Sequence, residues 1–579
     1  MKYLATSPVL ALTLVVSSLS SLSSLSACSS ADSSKDAGAS GDAPRWVGAK
    51  GDRLGPLPKQ GAAATATFST SDVCAGCHVA ADDSAANRDA KGRNVSPVGL
   101  WRPSMMSMAA RDPYYLATFA AERAHRPNLT AAVDQGCTPC HAPAGATEQK
   151  LAGKTIGFDA LVREQAPHAE LAREGVGCTL CHQITSEGLG TAPSFTGGFV
   201  VGTQRKMFGP YSDPNGQIME ITANFVPTYG PHIEDSKLCA TCHTVFTKAI
   251  DKNGKTIVEL PEQIPYLEWQ NSDFTTEGSG GARGTTCANC HVPRGDDENQ
   301  PVTTAVAKLP KGLAPRTPIG RHGFFGANAY LLRMFADNVE ASGALASSAD
   351  FTEAAQRTEK TLSTAVQLAV AGKRAGANAE VVVTLTNQVG HKFPTGYPSR
   401  RAWIHLRATD AGGKVVFESG GTDAYGRLTS RSGERLDVEG VVLPHRDVVD
   451  AENQVQVYEA VAGDLQKRVA KRPLDATDFL KDTRLLPAGF SKSHKNWFYM
   501  APRGAETDAN FGSADQVTYR FSAPANVKVD VEVLFQSIRP ADIEALAEDP
   551  TPASRSFFDM VERKPPVPVR VVGTSTAVP

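Results

Sequence analysis

Five copies of Cys-x-x-Cys-His constrain this chain more than any other feature. They are Cys74-Ala75-Gly76-Cys77-His78, Cys137-Thr138-Pro139-Cys140-His141, Cys178-Thr179-Leu180-Cys181-His182, Cys239-Ala240-Thr241-Cys242-His243 and Cys287-Ala288-Asn289-Cys290-His291. The spacing is that of c-type haem attachment. Two thiols add across the porphyrin vinyl groups, and the following imidazole becomes the proximal iron ligand. Of 11 Cys, ten lie in these motifs, and the eleventh is Cys28. Two rivals explain less. A zinc ribbon needs four convergent ligands and no His directly after each pair. Disulfides would leave all five His without a role. Five covalent c-type haems are therefore the expected cofactors.

The N-terminus points to export. Lys2 and an apolar run from Val9 to Val16 lead to Leu25-Ser26-Ala27-Cys28, a lipobox-like end that makes Cys28 the expected lipidation site. The run is too short to span a bilayer, whereas several acyl chains would anchor the mature chain stably. Ser29 after Cys28 resembles signals sorted to the outer membrane, which places the protein at the cell envelope, facing the periplasm or the exterior. Residues 1–27 read as signal peptide. Residues 28–66, rich in Ser, Ala, Gly, Asp and Lys, read as a flexible tether. The formal charge of −2 is uninformative for the bare chain, but porphyrin propionates would make the assembled protein acidic, and nothing indicates nucleic-acid binding.

The rest of the chain divides into two parts. Residues 67–364 hold all five motifs and few clear helical patterns, at Pro113–Ala124, Phe158–Arg173 and Ala327–Glu340. Loops this long are unusual in a compact domain unless they pack on porphyrin faces. Residues 365–579 carry seven strand-like segments at Ala365–Val370, Glu380–Asn387, Ala402–Ala408, Lys414–Glu418, Val455–Ala460, Val517–Phe521 and Val527–Phe535, with short helices near Ala541–Ala547 and Phe557–Arg563. The expected class is α+β: a loop-rich, mainly helical multihaem domain followed by an antiparallel β-sandwich-like domain.

Low-spin iron needs a sixth ligand. Among the histidines outside the motifs, His232, His322 and His391 are the foremost expected distal ligands, followed by His445 and His125. His168 and His494 rank lower, and His405, mid-strand beside Trp403, reads as structural. Met105, Met106 and Met108 read more readily as core packing than as thioether ligands.

Three stretches, Ser236-Lys237-Leu238-Cys239 to Thr244, Pro265-Tyr266-Leu267-Glu268-Trp269-Gln270, and Cys287 to Pro293, resemble the exported multihaem cytochromes c. These are relatives of the tetrahaem carrier of hydroxylamine oxidation and of the octahaem tetrathionate reductases. The loop Gly390-His391-Lys392-Phe393-Pro394-Thr395-Gly396 is similar to one recurring there. The resemblance covers residues 70–345 at the motifs and extends loosely beyond. It implies closely stacked, mostly bis-His haems passing electrons between a redox donor and an acceptor. A carrier is thus expected rather than a catalyst, with no catalytic residue assigned. The alternative is an oxidoreductase of a small nitrogen or sulfur compound at a haem with an open distal position. The pentahaem nitrite reductases carry one Cys-x-x-Cys-Lys motif, and here every motif ends in His.

Overall fold

Each Cys-x-x-Cys-His motif folds as a single helical turn. The His amide donates back to the first Cys carbonyl at 2.8 Å in His78, 3.0 Å in His182 and 2.9 Å in His243. The other two motifs end the helix Thr130–His141 and make up the helix Cys287–His291. One turn brings residues three and four apart onto a common face, so both thiols and the imidazole point the same way. Pro and Gly keep most neighbouring helices short. The computed structural model describes residues 43–163 and 166–579.

The first expected helix forms, as Pro113–His125. The expected helix Phe158–Arg173 is instead two, Phe158–Val162 and Ala169–Arg173. They are separated where Pro167 disfavours helical geometry and His168 takes a φ of 59°. The third becomes Ala329–Asp337 followed by Val339–Ser342. A helix not expected, Ser348–Leu362, begins with a capping box between Ser347 and Asp350. The haem-motif part also holds an unforeseen hairpin, Val245–Ile250 with Thr256–Gln263.

After residue 365, alternation becomes strand. One sheet runs Val448–Val449, Ala514–Ser522, Asn378–Asn387, Val366–Ala375. The other runs Asp478–Asp482, Val457–Gly463, Arg401–Thr409, Val527–Gln536, Val569–Val578, with Val415–Ser419 also paired to Arg401–Thr409. Side chains at alternate positions, Val381, Val383 and Leu385 from one sheet and Val529, Val531 and Val533 from the other, meet in a common core. The pairing is antiparallel except at the edge strand Val448–Val449, which runs parallel to its neighbour.

The segment expected to be a tether departs from that reading where it is described. Trp46 is 1% exposed and sits in a core with Phe335 and Phe557. The amides of Leu54 and Leu57 donate to the carbonyls of Pro552 and Ala341. A single large aromatic side chain and a row of backbone hydrogen bonds outweigh the polar composition. The signal peptide and Cys28 lie outside the described residues. The two expected halves also pack as one compact unit over the described residues. Tyr114 of the helix Pro113–His125 contacts Tyr397 and Phe557 from the second half.

Candidate functional site

The motif turns converge on one connected cavity of about 1860 Å³, well beyond the roughly 300–1,000 Å³ that holds one small ligand. Nine of the ten motif thiols and all five motif imidazoles line it; Cys77 does not. The thiols also fix which motifs are neighbours. Cys74 interacts with Cys178, Cys140 with Cys242, and Cys239 with Cys287. Cys181 is within electrostatic reach of Cys242. The fourth motif therefore adjoins the second, third and fifth, and the first adjoins the third.

The imidazoles are held in one protonation state. Nδ1 of His78, His141, His182 and His291 lies 2.7, 2.9, 2.6 and 2.5 Å from the carbonyls of Val306, Ala109, Phe208 and Phe325. A carbonyl only accepts, so each Nδ1 carries the proton and Nε2 presents its lone pair. This is the arrangement that orients a metal-ligating histidine. Burial also lowers the pKa of all five, to about 4 for His243. Neutral imidazole is the form that binds iron.

Two imidazoles from outside the motifs stand opposite motif imidazoles. The rings of His182 and His322 are 6.2 Å apart and inclined by 25°. Those of His291 and His391 are 6.3 Å apart and inclined by 17°. These gaps are too wide for ring contact. A metal–imidazole bond of about 2.0 Å, plus about 1.1 Å from nitrogen to ring centre, counted on both sides, gives about 6.2 Å. Each separation therefore matches what two imidazoles holding one iron between them would need. His322 and His391 also place Nδ1 on a carbonyl, that of Gly320 at 3.0 Å and that of Lys392 at 2.9 Å.

The other expected ligands are placed elsewhere. His445 has both nitrogens engaged: Nε2 is 2.9 Å from Asp508 Oδ2, and Nδ1 is 2.7 Å from Gln456 Nε2. His232 spends Nε2 on the Ile184 carbonyl at 2.9 Å and does not line the cavity. His125 is exposed at the end of its helix, away from the cavity wall. His405 is held 2.9 Å from Glu418 on its strand. Of the methionines, Met105 and Met106 face the cavity and Met108 packs in the core.

The loop carrying His391 is fastened by buried charge. Glu268, fully buried on the helix Pro265–Gln270, accepts from the Lys392 amide at 3.1 Å and from Thr395 Oγ1 at 2.6 Å. Its other oxygen is 3.1 Å from Arg484 Nη1, close enough for an ion pair though not aligned as a hydrogen bond. Arg484 and Lys392 both contact Asp482. Burial opposes the Asp482 charge, but the two cations more than offset it and lower its pKa.

The cavity wall also presents polar groups without protein partners. Tyr115 lies face to face with His141, ring centres 3.7 Å apart, and its hydroxyl has no hydrogen-bond partner; nor has the hydroxyl of Thr118. Paired thiols, neutral imidazoles at iron-spanning distance and unmatched hydroxyls together fit covalently held porphyrin. A zinc site needs about four convergent Cys, His or carboxylate ligands. Among the described residues the one grouping of three or more such ligands is His445, Asp508 and Asp515, which includes no motif residue. Sequence reasoning missed Tyr115, Tyr397 and Arg400, all on the cavity wall. Tyr397 and Arg400 had a signal, their closeness to the Gly390–Gly396 loop.

No protein-family model and no curated protein matches the chain. Among solved structures, the chain is similar to a penta-heme cytochrome c552 from Thermochromatium tepidum, at 16% identity and a TM-score of 0.48, over 88% of this chain and 99% of that one.

Proposed function

We propose that the protein is an exported multihaem c-type cytochrome that carries electrons between a donor and an acceptor protein through five covalently bound haems. The observation that carries this reading is the facing imidazole pairs, His182 with His322 and His291 with His391, each 6.2–6.3 Å apart. Bound haem would supply reversible one-electron chemistry at iron. The chain's own residues fix its place and surroundings. Ten thiols hold the groups at set positions, and backbone carbonyls orient the motif imidazoles. His182 with His322, and His291 with His391, would hold the iron from both sides. Anchoring through Cys28 at the outer membrane belongs to the same proposal and rests on the Leu25–Cys28 sequence.

The test is electron paramagnetic resonance of the oxidised holoprotein. Low-spin signals throughout support a carrier, and a preparation without haem absorption would refute the proposal outright. One observation favours a second reading, an oxidoreductase acting on a small nitrogen or sulfur compound. Among the described residues, no imidazole ring pairs with His78, His141 or His243, and His243 feels the charges of His291 and of Arg400. A high-spin population that binds cyanide or nitrite would select that reading.

A further inference from the structure

Buried arginines in this fold have their charge or their donors met by the protein. Arg401 contacts Asp437 at 2.7 Å and Gln536 at 2.8 Å. Arg484 grips Asp482 through two nitrogens. Arg111 has no carboxylate partner but spends its donors on the carbonyls of Arg173, Pro58 and Ser342 and on Gln60. Arg400 differs. Among the described residues its guanidinium makes one hydrogen bond, from Nη1 to the Thr395 carbonyl at 2.6 Å, and no ion pair. Burial lowers its pKa, with only partial help from Asp112. Asp112 is itself committed to the amides of Tyr114 and Tyr115 at the start of their helix.

The chain nevertheless holds this guanidinium in place. Gly396 has a φ of 91°, and a Cβ there would lie 2.1 Å from Arg400 Nη1. Glycine thus serves both the backbone turn and the close approach of the cation. Arg400 faces the cavity beside Tyr397, and its charge acts on both His243 and His391. A half-buried cation that faces the cavity with most of its donors unspent calls for an anion of matching geometry.

We infer that Arg400 binds an oxyanion inside the cavity, beside the His243 imidazole, through the fork of its unspent N–H groups. This rests on the haem reading above. The occupant is a carboxylate-like oxyanion, supplied by a porphyrin propionate or by a small free anion.

The experiment uses the holoprotein, with Arg400→Gln and Arg400→Lys beside the wild type, and two readouts. The first is the spectral response of the oxidised protein to added nitrite and sulfite. The second is the set of haem midpoint potentials. A saturable anion response that Arg400→Gln weakens by about tenfold or more, the scale of one charge-assisted hydrogen bond, supports the inference with a free anion as occupant. No anion response, together with a fall in one potential in Arg400→Gln that Arg400→Lys reverses, supports it with a propionate as occupant. If Arg400→Gln fails to load haem, Arg400→Lys, which keeps the charge and loses the fork, is read by the same criteria. The inference is overturned if fully loaded variants keep wild-type potentials and wild-type anion behaviour. Failure of the underlying haem reading looks different, since no variant or wild type would then absorb as a cytochrome.

Discussion

Replacing Glu268 with Gln should free the loop that presents His391. The carboxylate is fully buried and meets three groups: the Lys392 amide, the Thr395 hydroxyl and the Arg484 guanidinium. A carboxamide has one oxygen. Turned toward Lys392 and Thr395, it leaves its NH2 against Arg484; turned the other way, it sets NH2 against the Lys392 N–H. Breaking one partner of a buried ion pair costs about 3–5 kcal/mol. Arg484 keeps Asp482, so the lower end, about 3 kcal/mol, applies. At about 1.4 kcal/mol per tenfold, local opening of the loop rises about 100-fold. The assay is the rate of cyanide binding to the oxidised holoprotein, where loss of His391 gates access to the fifth-motif iron. Glu268→Gln should bind about 100 times faster at one haem. Arg163→Gln, which removes an exposed pair with Asp159, should not change the rate. A Glu268→Gln rate within about threefold of wild type, with haem content intact, would refute the reasoning.

Three further outcomes are expected. His322→Ala should convert the third-motif haem to a high-spin form in the paramagnetic resonance spectrum, whereas His445→Ala should leave every haem signal unchanged. Acid should release the haem environment in a defined window. Burial lowers the His243 and His322 pKa values to about 4 from an ordinary value of 6.5. Between those values the unfolded chain binds more protons than the folded one, so stability falls as pH drops through that window. Iron competes with the same protons and adds the same sign, so a Soret titration that stays flat from pH 7 to about 4.5 would contradict this. Trp46→Ala should destabilise the fold by about 3–5 kcal/mol in denaturant titration, and an unchanged midpoint would return residues 43–66 to the status of a tether.

Legibility in the sequence tracked how locally each feature is determined. The stretch Glu380–Asn387 was readable as strand because Val381, Val383 and Leu385 face a core at every second residue, and the strand observed is Asn378–Asn387. The strand Val569–Val578 was not, because it lies at a sheet edge with only two buried positions, Val571 and Val578, and so shows no alternation. The helix Ser348–Leu362 buries a narrow stripe, Phe351, Ala355, Thr358 and Leu362. Its hydrophobic signal is weak, yet Ser347-x-x-Asp350 was there to be read as a start. Trp46 could not be placed at all, since its partners Phe335 and Phe557 are far away in sequence.

The imidazole pairs show why the motifs are legible in the sequence and the groups opposite them are not. A Cys-x-x-Cys-His turn is self-contained, because its thiols and its imidazole are presented by a single helical turn. The opposing imidazole is recruited across the fold, and loop position alone gave His232, His322 and His391 equal standing. What separates them is which ring nitrogen the backbone occupies. His322 and His391 spend Nδ1 and offer Nε2, whereas His232 spends Nε2. The loop that carries His391 continues to Arg400, so one segment of the β-rich half presents an imidazole opposite His291 and a cation beside His243. Glu268 ties that segment to the haem-motif half. The β-rich half therefore supplies part of the cavity wall, and under the proposed function part of the redox site; a chain cut at residue 364 would retain all five Cys-x-x-Cys-His motifs yet lose His391 from opposite His291.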